Sequence, residues 1–272
     1  MITRIAAALL LGPLFFLVLT VFDLPYLVFM IGGIAVIASV ELLVATLKKP
    51  PTDLLALTMF AAGAIPLGTA YFSGEDTSRW VSIALIISLF LVGVIQYGKP
   101  KAPTFETILI CYFGGIIYPT LITSLIILRQ MDHGGLMILF PVLLSFGGDT
   151  GAYFVGMSMG KHRGITKVSP NKSLEGYIGG IVFGMLTMLA YGIYLQNSWN
   201  FDVKLEIMAL YGFVGAIATS LGDLSFSLIK REKEIKDFGN SIPGHGGMLD
   251  RFDSLGFCAP VILFLLETIP AI

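Results

Sequence analysis

The sequence predicts an all-α, polytopic membrane bundle of about nine transmembrane helices. Three observations carry that prediction: composition, the spacing of the apolar stretches, and the placement of the basic residues. Hydrophobic residues make up 56% of the 272 positions and charged residues 13%, with a mean hydropathy of +0.86. Soluble domains run at roughly 45–50% apolar and about 25% charged. A soluble domain of this composition would expose apolar surface enough to aggregate. A net charge of −1 offers polyanions no basic surface, so nucleic acid is excluded as a partner, and membrane lipid takes its place.

Nine stretches contain no Lys or Arg: 5–22, 24–47, 53–72, 80–97, 104–128, 134–159, 174–196, 205–229 and 252–272. Each is near the ~20 residues a helix needs to cross a ~30 Å hydrocarbon core. Arg4 ahead of the first run resembles a signal peptide, but no A-x-A-like site follows, so an uncleaved helix is expected. Alternating the linkers puts Arg4, Lys48, Lys49, Lys99, Lys101, Lys161, Arg163, Lys167, Lys172, Lys230, Arg231, Lys233, Lys236 and Arg251 on one side. Arg79, Arg129 and Lys204 fall on the other. A 14:3 split predicts a cytoplasmic N-terminus and a multi-pass protein of the inner membrane, if the cell is bacterial.

Residues 1–130 read as scaffold helices with short loops. Residues 131–272 read as a catalytic region with two long charged cytoplasmic loops, 160–173 and 230–251. No internal repeat with matching motifs is found. Gly176, Gly180 and Gly184 share a helix face and predict close helix packing. Cys111 and Cys258 sit in apolar runs as core filler.

Nine acidic residues lie within the apolar stretches and no basic ones do. Asp53, Glu106, Glu175, Glu206, Asp253 and Glu267 are near span ends, whereas Glu41, Asp149 and Asp223 lie deeper. A carboxylate in the hydrocarbon costs about 2.5–3.5 kcal/mol and is kept where it faces a cavity or a cation. For Glu41, a hydrogen bond within the bundle is as good a reading as any function. Asp149 lies in Gly147-Gly-Asp-Thr-Gly-Ala-Tyr153. Asp223, Ser227 and Lys230 fall on one helix face, and Asp250 and Asp253 are one turn apart at the start of the last helix. Four carboxylates on three helices thus approach one membrane face, and hard oxygen ligands argue for Mg²⁺, alone or with a second cation.

The loops supply the opposite charge. Lys161–Lys172 leads into Ser169-Pro-Asn-Lys-Ser-Leu-Glu-Gly176, and Ile242-Pro-Gly-His-Gly-Gly-Met248 precedes the Asp pair. Gly-rich turns present N–H groups to anions, and Lys172 adds a point charge beside a helix N-terminus. Ser173 also reads as an N-cap. Carboxylates that suit a metal, beside loops that suit phosphate, point to phosphoryl or nucleotidyl transfer at the membrane surface.

The run Ser227 to Asp253 resembles the signature of the phosphatidate cytidylyltransferase (CDP-diacylglycerol synthase) family, S…KR…KD…P-x-HGG…DR-x-D. Asp149-Thr-Gly-Ala-Tyr-Phe-Val-Gly156 and the Ser169–Gly176 block agree, so the resemblance covers roughly residues 147–260. One departure is Phe226, where the family commonly has Glu. The resemblance implies formation of CDP-diacylglycerol and pyrophosphate from CTP and phosphatidate, and a homodimer. It implies that Asp223, Asp250 and Asp253 hold the metal with Asp149 beside them, and that Ser169, Asn171 and Lys172 hold the triphosphate. Lys230, Arg231, Lys236 and Arg251 would divide between phosphatidate and pyrophosphate, and His245, Gly246 and Gly247 would form part of the nucleotide loop. Three competing readings are a cation-coupled transporter, an enzyme activating another lipid phosphate, and a CDP-alcohol phosphatidyltransferase. The last lacks its Asp-Gly motif here, because no Asp-Gly pair occurs.

Overall fold

The computed structural model describes residues 12–72, 74–100, 102–242, 244 and 246–272. Arg4, Lys101 and His245, each used above, lie outside the described residues. Among those described there is no strand beyond two isolated bridges, Arg163 with Ser173 and Ile242 with Gly246. The chain divides into two units, one running to Gly135 and including Glu232–Phe252, the other formed by Leu136–Arg231 and Asp253–Ile272.

The first unit contains α1 (residues 12–20), α2 (Leu24–Leu47), α3 (Thr52–Tyr71), α4 (Gly74–Gln96), α5 (Phe105–Tyr112) and α6 (Tyr118–Gln130). A π turn, Phe113–Ile117, joins α5 to α6 and makes Phe105–Gln130 a single span. Its cause is local. Pro119 cannot supply an N–H to the turn before it, and the Ser39 hydroxyl donates to the Gly114 carbonyl that the wider turn presents. Leu43, Leu54, Ile65, Leu85, Leu89 and Ile108 pack as the apolar core around this span.

The hydrogen bonds sort the turns of this unit onto two ends. At one end Arg129 donates to the Phe22 carbonyl (3.3 Å) and Gln130 to the Ala70 carbonyl (3.0 Å). At the other, Gln96 donates to Asp53, and Lys233 bonds Glu106 at 2.6 Å. Loops expected on the same membrane face therefore meet within this unit.

The second unit contains the second half of α7 (Gly134–Met137), then α8 (Leu139–Met159), α9 (Leu174–Trp199), α10 (Leu205–Glu232) as far as Arg231, and most of α11 (Leu249–Thr268). The glycine face of α9 packs as expected. A Cβ on Gly180 would stand 3.2 Å from the Gly148 carbonyl oxygen of α8, and one on Gly184 would stand 3.1 Å from that of Gly212 in α10. Phe140, Tyr191 and Tyr211 meet edge to face in the core, and the Tyr211 hydroxyl donates to the Ile269 carbonyl at 2.7 Å. Cys111 and Cys258 are buried free thiols.

Seven described helices are long and apolar enough to cross a membrane, and the chain is a polytopic helical membrane protein. The expected first span lies partly outside the described residues. The last has the length, but its first two turns carry Asp250, Arg251 and Asp253. Helix α4 starts six residues before the expected span, and Arg79, taken as a loop residue, lies within it and pairs with Asp76 one turn away at 2.6 Å.

Candidate active site

In the second unit the loop before α9 turns at Ser169-Pro-Asn-Lys172, where the Lys172 N–H donates to the Ser169 carbonyl at 3.2 Å. Proline at the second turn position presets the required φ. Ser173 is the N-cap of α9, its hydroxyl accepting from the Gly176 N–H at 3.1 Å, as its sequence context predicts. Glu175, in the first turn, accepts from the N–H groups of Lys161 and His162 and bonds His162 Nδ1 at 2.6 Å. Both ends of the basic loop are thereby tied to the start of α9.

This cap and turn place Lys172. Its ammonium forms an ion pair with Asp223 of α10 and lies 5.6 Å from the centre of the Tyr177 ring. Both partners of the ion pair are partly open, with side-chain exposures of 37% and 27%. Asp223 is carried close to α11 by its neighbour Gly222. A Cβ there would stand 2.7 Å from the Asp253 carbonyl oxygen and 3.0 Å from Phe257 Cβ. Asp253 is buried, and its Oδ1 accepts from the Ser254 N–H at 2.7 Å. It interacts electrostatically with Asp223, Lys230 and Asp149, while Asp149 in α8 interacts with Lys172 and Asp223. Arg231, at the end of α10, donates from Nε to the Val168 carbonyl at 3.1 Å. Where the family commonly has Glu, Phe226 is buried and meets Phe257 edge to face, 6.1 Å between ring centres.

The first unit holds the rest of the signature. Asp250, at the start of α11, accepts through Oδ2 from the N–H groups of Phe238 (2.8 Å) and Gly247 (3.2 Å). Gly244 and Gly246 have φ of 79° and 90°, which glycine adopts without strain and most other residues do not. Lys236 and Arg251 are exposed, and Glu106 raises the Lys233 ammonium above the usual lysine range. Sequence reasoning left Glu41 undecided. Here Glu41 accepts from the Ser241 hydroxyl and from the N–H groups of Met248 (3.0 Å) and Leu249 (2.9 Å). Ser241 and Tyr177 were not singled out from the sequence, since neither belongs to a motif.

The second unit thus brings together Lys172, Asp223, Asp253, Asp149 and Lys230, and the first gathers Asp250, Gly246 and Gly247. No group of three or more His, Cys, Asp or Glu close enough to hold a metal ion occurs among the described residues. The donor chemistry of Asp149, Asp223 and Asp253 still fits a hard cation: oxygen ligands from three helices of one unit, mutually repelling unless a positive charge lies among them. Lys172 supplies that charge in the structure.

The sequence model of the cytidylyltransferase family matches residues 2–269. The chain is 32% identical to a phosphatidate cytidylyltransferase of Bacillus subtilis over 268 residues, covering 97% of this chain and 96% of the relative. It is 28% identical over 274 residues to a protein of the same name from Thermotoga maritima, covering 99% and 97%. One from Staphylococcus saprophyticus is 40% identical over 129 residues, 47% of this chain and 48% of that protein.

Proposed function

This chain belongs to the cytidylyltransferase family, and from that premise we propose that it forms CDP-diacylglycerol and pyrophosphate from CTP and phosphatidate, in the synthesis of membrane phospholipid. The observation that carries the proposal is the Lys172–Asp223 pair with Asp253 and Asp149 as electrostatic neighbours. In this reading a phosphatidate oxygen attacks the α-phosphorus of CTP, and the bond from that phosphorus to the bridging oxygen of the leaving pyrophosphate breaks. A phosphate monoester is already anionic near neutral pH, so no strong general base is needed. The obstacle is like charge, and the site answers it with cations.

Lys172 holds the triphosphate from the turn that Ser169 and Asn171 shape, exchanging Asp223 for phosphate oxygens as the nucleotide arrives. Asp223 and Asp253, with Asp149 beside them and Asp250 at the same helix start, are the carboxylates to hold Mg²⁺. Mg²⁺, when bound, screens the two anions and steadies the departing pyrophosphate. Lys230, Arg231, Lys236 and Arg251 serve the lipid phosphate and pyrophosphate, and Gly246 and Gly247 with His245 serve the nucleotide. The site faces the cytoplasm, where CTP is available, while phosphatidate enters from the inner leaflet. A homodimer is the assembled form in this reading.

The test is purified protein in detergent with phosphatidate, labelled CTP and Mg²⁺. Labelled lipid and pyrophosphate that form in equal amounts, and stop on chelation, are the expected result. Product only with a different lipid phosphate would move the substrate. No product with any lipid phosphate, from folded protein, would overturn the reading.

A further inference from the structure

Glu41 is a carboxylate inside an apolar span, and it is 8% exposed. Its partners all lie far along the chain, in the segment that leads into α11. Oε1 accepts from the Ser241 hydroxyl and the Met248 N–H, and Oε2 accepts from the Leu249 N–H. The Ser241 oxygen also accepts from Met248 N–H at 2.9 Å, closing a small network. Met248 and Leu249 are the first two backbone donors at the start of α11, groups that a helix cannot satisfy from within. Glu41 therefore caps α11 from another helix, and a negative charge there suits the positive end of the helix dipole.

The segment is shaped to receive it. A Cβ on Gly247 would stand 2.6 Å from Glu41 Oε2 and 2.9 Å from the Gly239 nitrogen, and one on Gly239 would stand 2.5 Å from Glu41 Oε1. The same stretch is held at its start by Lys233 on Glu106 and at its end by Phe252 against Phe15. Asp250 binds the N–H groups of Phe238 and Gly247 from within it. The loop has two carboxylate centres: Asp250 closes it on itself, and Glu41 fixes it to the unit.

We infer that Glu41 is a positioning residue: it sets the Gly-rich loop and the first turn of α11, and through them the placement of Asp250. Only the turnover arm of its test rests on the cytidylyltransferase reading.

The test uses the full-length protein in detergent. Glu41→Gln keeps the shape but turns an N–H donor toward backbone donors. The amides of Met248 and Leu249 should exchange with deuterium at least ~10-fold faster, since each loses its charged acceptor. Amides of α3 and α10 should keep their protection. Turnover should fall in kcat by ~10-fold or more, with the KM for CTP changed less, and Glu41→Asp should recover part of it. Unchanged exchange at Met248 and Leu249 would overturn the anchor whatever the turnover. Faster exchange with unchanged kcat and KM would overturn the positioning role. If Glu41→Gln does not fold, Glu41→Asp decides: its carboxylate is one methylene short of the Met248 and Leu249 N–H groups, so exchange at both must quicken, and unchanged exchange at both refutes the inference. A wild-type protein that makes no CDP-lipid sinks the functional reading alone, because the exchange arm is read without substrate.

Discussion

The Lys172 ammonium rests against Asp223 and above the Tyr177 ring, so a triphosphate that takes this ammonium must release the carboxylate. That exchange links the two residues in function while leaving them nearly independent in stability. A pair this open to solvent contributes about 0–1 kcal/mol to folding, but a charged hydrogen bond to a substrate is worth about 1.5–3 kcal/mol. Lys172→Ala should therefore raise the apparent KM for CTP by about 10- to 100-fold, with thermal stability almost unchanged. Asp223→Asn should lose turnover at every CTP concentration from protein that is still folded. Steady-state kinetics beside a melting curve separates these outcomes. An unchanged KM in Lys172→Ala would remove this residue from the triphosphate, and near-normal turnover in Asp223→Asn would remove that one from the cation. Phe226 sets a boundary on the ligand set. It is packed edge to face on Phe257, and an aromatic ring in that contact holds no metal, so on the proposed reading the ligands of the second unit are sought among Asp149, Asp223 and Asp253.

At the scale of elements, glycine decides how near the carboxylates come. Gly222 lets α10 approach the α11 backbone at Asp253, and the atom a Cβ would meet is a carbonyl oxygen that cannot rotate away. Gly222→Ala must part the two helices by some tenths of an ångström. Overpacking of this kind costs about 1–3 kcal/mol, and the shift falls directly on Asp223 and Asp253. Turnover should drop ~10-fold or more while the melting temperature falls only moderately. Gly63→Ala is the control. Its Cβ would meet nothing nearer than Val36 Cγ2 at 3.5 Å, so activity and melting should stay near wild type. Equal effects from both substitutions would deny Gly222 its special place.

What could be read from sequence follows the same division between local and distant causes. The Ser173 cap and the packing face of Gly176, Gly180 and Gly184 were legible because their signals lie within a few residues. The π turn at Phe113–Ile117 was not, because it depends on a hydroxyl from Ser39 of another helix. Glu41 was legible as unusual but not as an anchor. Its partners lie 200 to 208 positions away, and only the fold brings them together. Lys172 and Asp223 were both singled out, yet their pairing with each other was not, since opposite charges on separate helices carry no mark of their distance.

For the whole molecule, the remaining expectation concerns which way the bundle faces. The 14:3 division of basic residues assigns faces only if the number of crossings is right, because one missed helix would reverse every later loop. The first unit supplies an independent check: Arg129 reaches Phe22, Gln130 reaches Ala70, and Lys233 reaches Glu106, each joining segments that the alternation puts on the same face. With the alternation supported there, charge sets the expected sign, which puts the lysine-rich ends in the cytoplasm. Buried Cys111 and Cys258 make a quiet background for labelling. Asp202→Cys and Lys167→Cys, both at exposed positions, would sit on opposite faces. In sealed right-side-out vesicles a membrane-impermeant maleimide should label Asp202→Cys at once and Lys167→Cys only after permeabilisation. The reverse order would put the basic loops outside, away from CTP. The cytoplasmic placement of the site would then be wrong even if the chemistry were right. Labelling of both before permeabilisation would break the alternation itself and remove a crossing between residues 167 and 202, where α9 is the only candidate among the described residues.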